Sequence, residues 1–177
     1  ELAVFDEPRL PTVSEVRHPG EGALLVFVLR RGPSSERSLG AAYALYRRFP
    51  EHADAQLALV GCVFDPSASP PTIERHERVG DGAAVYVRRH DEQPRWVYIE
   101  SAPDPATSRN EFPSTHEFVK AMWGRAKGDK FDYLGHQYEI LCTENRILRR
   151  VHDIMERYEE NFPDKPAFRR LSAPSAP

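Results

Sequence analysis

The chain has 177 residues, with 24 basic and 27 acidic side chains and a formal charge of −3, a near-balance that excludes a nucleic-acid binder working by bulk electrostatics. Its longest apolar run, residues 23–29, falls far short of the roughly 20 residues that cross a bilayer, and no charged segment precedes it as in a signal peptide. The expectation is a cytoplasmic protein with no membrane partner. The length suits one ordinary domain or two small ones, and units of about 60–80 residues bury only roughly 60% of their surface, so two such units are expected to lean on each other.

The opening at Glu1 without Met fits the ordered part of a longer protein. Residues 20–31 are a strand or a helix by periodicity alone, and are read here as a helix. Pro33-Ser34-Ser35 supplies a break and a hydroxyl N-cap, after which Leu39, Ala42, Leu45, Tyr46 and Phe49 share one face of a helix ending at Phe49-Pro50. A second helix follows a short turn, with Ala55, Leu59, Cys62 and Val63 on one side and Asp54 near its positive end. The run from Asp65 to Pro71 holds three prolines and reads as a linker, residues 66–72, between a helical part (1–65) and a sheet part (73–142).

In the sheet part, residues 83–88 and 95–99 alternate with period two and flank a polar loop at 88–94, which makes an antiparallel hairpin. A short helix is expected near Phe118 to Trp123. Residues 131–133 and 137–141 form a second hairpin closed by Leu134-Gly135-His136. A C-terminal extension, residues 143–171, carries a helix with Thr143 as its N-cap and an apolar stripe of Ile147, Leu148, Val151, Ile154, Met155 and Tyr158, ending before Phe162-Pro163. Residues 172–177 are expected to be disordered. The fold class is α+β: an N-terminal helical hairpin, a small antiparallel sheet with one short helix, and a C-terminal helix.

Candidate chemistry is sparse. Cys62 and Cys142 lie far apart in apolar settings and read as buried thiols. His152 and Glu156 stand at i and i+4 on one helix, but two ligands do not make a metal site. His18, His52, His76, His90, His116 and His136 are scattered singly and read as solvated. Asp129 and Asp132 flank Lys130 as a carboxylate pair, read as polarising a turn and an exposed strand edge. Arg146, Arg149 and Arg150, with Arg169 and Arg170 and the indoles of Trp96 and Trp123, are the candidate RNA-contacting face. The alternative, favoured by the overall charge, is a solvated face balanced by Glu144, Glu156, Glu159 and Glu160. No phosphate loop or nucleophile motif occurs, so no catalytic residue, metal site or cofactor is assigned, and this chain is not expected to be an enzyme.

Two resemblances extend this reading. Ala42, Leu45, Phe49-Pro50 and Ala53-Asp54-Ala55-Gln56-Leu57-Ala58-Leu59 resemble the junction of two tetratricopeptide-type helices. Val79-Gly80-Asp81-Gly82, the strand ending at Ile99, Ala121-Met122-Trp123-Gly124, Gly128-Asp129 and Tyr138-Glu139-Ile140 resemble, over about seventy residues, the C-terminal domain of GreA/GreB transcript cleavage factors, an FKBP-like fold. The sequence departs from that family in having His116-Glu117 where Ser-Pro is usual, and in lacking the N-terminal coiled coil with its acidic tip, so transcript cleavage is not implied. The resemblance implies a protein-docking module for RNA polymerase, at its secondary-channel rim, with Gly124, Gly128, Asp129, His116, Glu117 and Trp123 as partner-binding residues. The pairing of the two modules also resembles bacterial stress or phage-conflict proteins that carry a PIN-type nuclease. The alternative it implies is a regulatory arm for a nuclease domain outside these residues, in the same or another chain.

Overall fold

The computed structural model describes residues 12–32, 35–64 and 72–165. The linker prolines, Ser34, Arg169, Arg170 and residues 172–177 lie outside the described residues. Two compact units emerge, one formed by Glu1–Thr72 with Asp153–Pro177, the other by Ile73–His152.

The first unit is built on α1 (Pro19–Arg30), α2 (Ser35–Arg48) and α3 (Ala53–Val63), each packed on the other two, and takes in the end of the last helix from Asp153. The ambiguous segment is therefore helical as far as Arg30, with Arg31 as its C-cap. Pro19 occupies a first-turn position where its missing N–H costs nothing, and Gly22, Leu25 and Val26 turn inward. Leu39, Ala42, Tyr43, Leu45 and Tyr46 of α2 and Ala55, Leu59, Val60 and Cys62 of α3 are all buried in this small core. Leu45 and Leu59 are fully buried, each contributing on the order of 2 kcal/mol. The Cys62 thiol is buried and lies 3.7 Å from the Ser38 carbonyl, while Cys142 is only half-buried; the two are not joined in a disulfide.

The second unit is a five-stranded sheet in the order β3-β2-β1-β5-β4, with β1 (Ala83–Arg89), β2 (Arg95–Glu100), β3 (Glu111–Pro113), β4 (Lys130–Tyr133) and β5 (His136–Asn145). Both expected hairpins form, with Tyr86 opposite Trp96 and Phe131 opposite Tyr138. The sheet is not purely antiparallel, because β3 runs parallel to β2. Three residues ending in proline carry no alternation from which this strand could be read. Arg89, expected in the loop, extends β1.

Val85, Val87, Val97, Ile99, Phe131, Tyr138 and Ile140 cover one sheet face and pack on α4 (Glu117–Met122) through Phe118, Val119 and Met122. The turn between β4 and β5 consists of Leu134 and Gly135, at φ +50° and +77°, the paired positive angles of a type I′ hairpin. Leucine in that conformation costs about 1 kcal/mol.

The last helix, α5 (Arg146–Asn161), begins later than expected. Thr143 belongs to β5 and donates its hydroxyl to the His76 carbonyl at 2.7 Å, while Asn145 Oδ1 accepts the Ile147 N–H at 2.8 Å and serves as the cap. Val151, Ile154 and Tyr158 of the expected stripe are buried, and Met155 is exposed.

Glycine substitutions separate packing from propensity within the first unit. A Cβ on Gly22 would collide with Leu45 Cδ1 and lie 3.2 Å from its Cγ, whereas one on Gly40 meets nothing within 4 Å. Gly22→Ala is expected to destabilise by about 1–3 kcal/mol through overpacking, and Gly40→Ala to stabilise by up to about 1 kcal/mol through helix propensity. Urea denaturation midpoints of the two variants should shift in opposite directions.

Candidate functional site

The turn after α4 is a hydrogen-bonded brace. Gly124, at φ +72°, donates its N–H to the Val79 carbonyl at 2.9 Å, and Val79 donates to the Arg125 carbonyl at 2.8 Å. Gly128, at φ +89°, donates to the Ile140 carbonyl at 2.7 Å, and Ile140 donates to the Asp129 carbonyl at 2.9 Å. The Asp129 carboxylate accepts the Ala126 N–H at 2.8 Å. Arg125 closes the other side, its guanidinium donating to the Ala121 and Lys130 carbonyls at 3.0 Å each. Both glycines are required by their backbone angles. Asp129 is committed to the turn, and Asp132 stands exposed on edge strand β4, where charge discourages edge pairing.

At the start of α4, His116 Nδ1 accepts the Phe118 N–H at 3.2 Å while its ring lies 4.7 Å from that of Phe112. It is the helix cap, in the place where the resembling family carries Ser-Pro. Glu117 follows with its side chain 74% exposed and paired to Lys120 at 2.7 Å. The hydrogen bond from Lys120 holds the Glu117 carboxyl below its usual value. At the other end of α4, Trp123 is 45% exposed. The six residues proposed from the resemblance thus divide by role: Gly124, Gly128, Asp129 and His116 hold backbone, while Glu117 and Trp123 are offered to solvent.

His18 and His52 repeat the His116 arrangement, Nδ1 accepting the N–H of Gly20 at 3.1 Å and of Asp54 at 3.3 Å. Three histidines expected to be merely solvated are helix caps. Histidine is outside the preferred capping residues, although an acidic residue in each first turn, Glu21, Asp54 and Glu117, was a readable companion signal. His152 lies 3.8 Å from the Glu144 carboxylate. Among the described residues no group of three His, Cys, Asp or Glu side chains could hold a metal ion.

Arg146, Arg149 and Arg150 of α5 turn toward the sheet, away from the role of an RNA-contacting face and equally from that of a solvated one. Arg146 Nη1 reaches the Ile99 carbonyl at 2.9 Å and Glu100 Oε2 at 3.4 Å. Arg150 Nη2 reaches Glu111 Oε1 at 3.1 Å, and its guanidinium lies 3.4 Å over the Tyr98 ring. Arg149 lies 5.0 Å over Trp96, which stacks on Tyr86 at 4.9 Å. The side chains of Glu100 and Glu111 are 0% exposed, and Arg109 also pairs with Glu111 at 3.2 Å. Sequence reasoning missed both carboxylates, because they come from strands some forty residues upstream of the arginines they meet. The one local hint was Glu100 continuing the strand from Trp96.

No family model matches the chain, and no curated protein sequence does. Among solved structures, it is similar to a prokaryotic transcription elongation factor GreA/GreB from Nitrosomonas europaea, at 19% identity and a TM-score of 0.33 over 70% of this chain and 93% of that one. It is also similar to GreA factor homolog 1 (Gfh1) of Thermus thermophilus, at 14% identity and a TM-score of 0.35 over 72% and 85% of the two chains. Gfh1 of Thermus aquaticus aligns at 16% identity and a TM-score of 0.34 over 72% and 84%.

Burial decides what the ion pairs are worth. Arg150→Ala removes a guanidinium from a buried carboxylate and is expected to cost about 3 kcal/mol. Arg88→Ala breaks a shorter pair with Glu139, 2.8 Å but largely exposed, and should cost under about 1 kcal/mol. Urea unfolding of both variants checks the contrast; equal losses would refute it.

Proposed function

We propose that the chain is a non-catalytic docking module that binds bacterial RNA polymerase in the manner of a GreA/GreB C-terminal domain. One observation carries this reading. The separated pieces of sequence on which the resemblance rests meet in the brace: Val79 bonds to Gly124 and Arg125, and Gly128 and Asp129 bond to Ile140. Residues that far apart are joined by mutual backbone hydrogen bonds, which supports reading the motif as one structural unit. Within it, residues 73–142 are the docking domain.

The side chains available for contact are then those left free of structural duty. Trp123 presents an exposed indole beside a rigid turn, and aromatic anchors on rigid supports dominate the energetics of many protein interfaces. Glu117 adds a carboxylate at the opposite end of α4, about 9 Å of helix away. Aromatic burial supplies affinity in such an arrangement, and the exposed charge supplies steering and orientation. A module acting on polymerase works in the cytoplasm and requires no cofactor of its own.

Biolayer interferometry with purified bacterial core RNA polymerase tests the reading. The wild-type chain is expected to bind, and Trp123→Ala to weaken binding by about tenfold or more with little change in melting temperature. Glu117→Ala should have a smaller effect that fades as salt is raised. Absence of wild-type binding would show the reading to be wrong.

A further inference from the structure

The β4–β5 turn combines two features that ordinary stability does not explain. Leu134 is 79% exposed, the highest value among the exposed large apolar side chains of the described residues. It also sits at φ +50°, followed by Gly135 at φ +77°. The first position of such a turn favours Asn, Asp or Gly, which tolerate the left-handed conformation. A leucine there is unfavourable twice over, through its backbone angle and through the apolar surface it leaves in water. Strain of this kind at an exposed site points toward function.

The knob is rigidly backed. Tyr133, the preceding residue, pairs with His136 across the hairpin and packs its ring 5.0 Å from Phe118. Phe131 stacks on Tyr138 at 5.3 Å. Tyr133 and His136 mark the end of the sheet where β4 turns into β5. β1 and β4 are both antiparallel to β5, so the loop after Arg89 reaches this end as well.

The charges at this end indicate the kind of partner. Asp91, Glu92, Asp132 and Glu139 stand there with Arg88, Arg89, Arg95 and Lys130. Arg89 is taken up by Asp91 and Glu92 at 2.8 Å each, and Arg88 by Glu139 at 2.8 Å. There is no cationic excess for a phosphate backbone, and an aliphatic side chain has no ring face on which a base could stack. A leucine held on a stiff hairpin suits an apolar pocket in a protein surface.

We infer that Leu134 is a docking knob, inserted into an apolar pocket of the protein partner, with the hairpin strained in order to present it. The inference rests on the docking reading above and adds the anchor and the chemistry of its receptor. Leu134→Asn separates the two roles, because Asn-Gly is the preferred pair for this turn and should strengthen the hairpin while deleting the knob. Leu134→Met keeps an apolar side chain of similar length.

The experiment measures melting temperature and affinity for purified core RNA polymerase across wild type, Leu134→Asn and Leu134→Met. Leu134→Asn is expected to melt a few degrees higher and to bind at least about tenfold more weakly, while Leu134→Met binds within about threefold of wild type. Wild-type affinity in Leu134→Asn overturns the knob and leaves polymerase docking standing. A melting temperature that falls in Leu134→Asn overturns the claim that strain is held for presentation. Failure of the wild type itself to bind overturns the docking reading, and with it the partner assigned to the knob.

Discussion

The Phe118 ring organises the sheet unit. It meets Phe131 at 5.5 Å, Tyr133 at 5.0 Å and Tyr138 at 5.1 Å, all near edge-on, geometries in which the positive edge of one ring meets the negative face of another. Three such contacts contribute roughly 2–4 kcal/mol beyond the area they bury. They fasten a helix of only six residues, too short to be stable by itself, onto β4 and β5. The orientation of α4 then sets where His116 caps, where Glu117 and Trp123 emerge, and where the chain must turn at Gly124.

The opposite face of the sheet is organised by charge. Arg146 and Arg150, one helical turn apart, reach Glu100 on β2 and Glu111 on β3, while Tyr98 accepts a guanidinium over its ring. Ion pairs this deeply buried add little net stability over apolar packing, but they are sensitive to geometry. Their effect is to determine how the first turns of α5 lie on the sheet. Aromatic packing on one face and paired charge on the other leave β4, with its terminal turn, as the part of the sheet farthest from both β3 and its carboxylate clamp.

Much of the architecture was legible in the residues. The period-two runs at 83–88 and 95–99, the Leu134-Gly135 turn and the three-and-four spacing from Leu39 to Tyr46 each correspond to an element, because each is a local pattern whose meaning depends on backbone geometry alone. β3 was not legible: three residues that pair in parallel become a strand only because β2 offers an open edge. Thr143 and Asn145 are both competent caps, and the choice between them was made by how far β5 stays paired with β1. The candidate site was legible as a motif, and its two glycines prove to sit at positive φ. Which of its side chains would be left to solvent was not.

The amino-acid order by itself determined the α+β class, the helices after Ser35, the two hairpins and the turn at Leu134-Gly135, since these follow from propensity, periodicity and the steric limits on φ. Tertiary structure alone decided the roles of the charged and polar side chains. His116 became a cap, Asp129 a turn lock, and Arg146 and Arg150 a clamp on Glu100 and Glu111. The physical reason is that the energy of a charge or a hydrogen-bonding group is set by the partners and water around it, and in a folded chain most of those partners come from far away in the sequence.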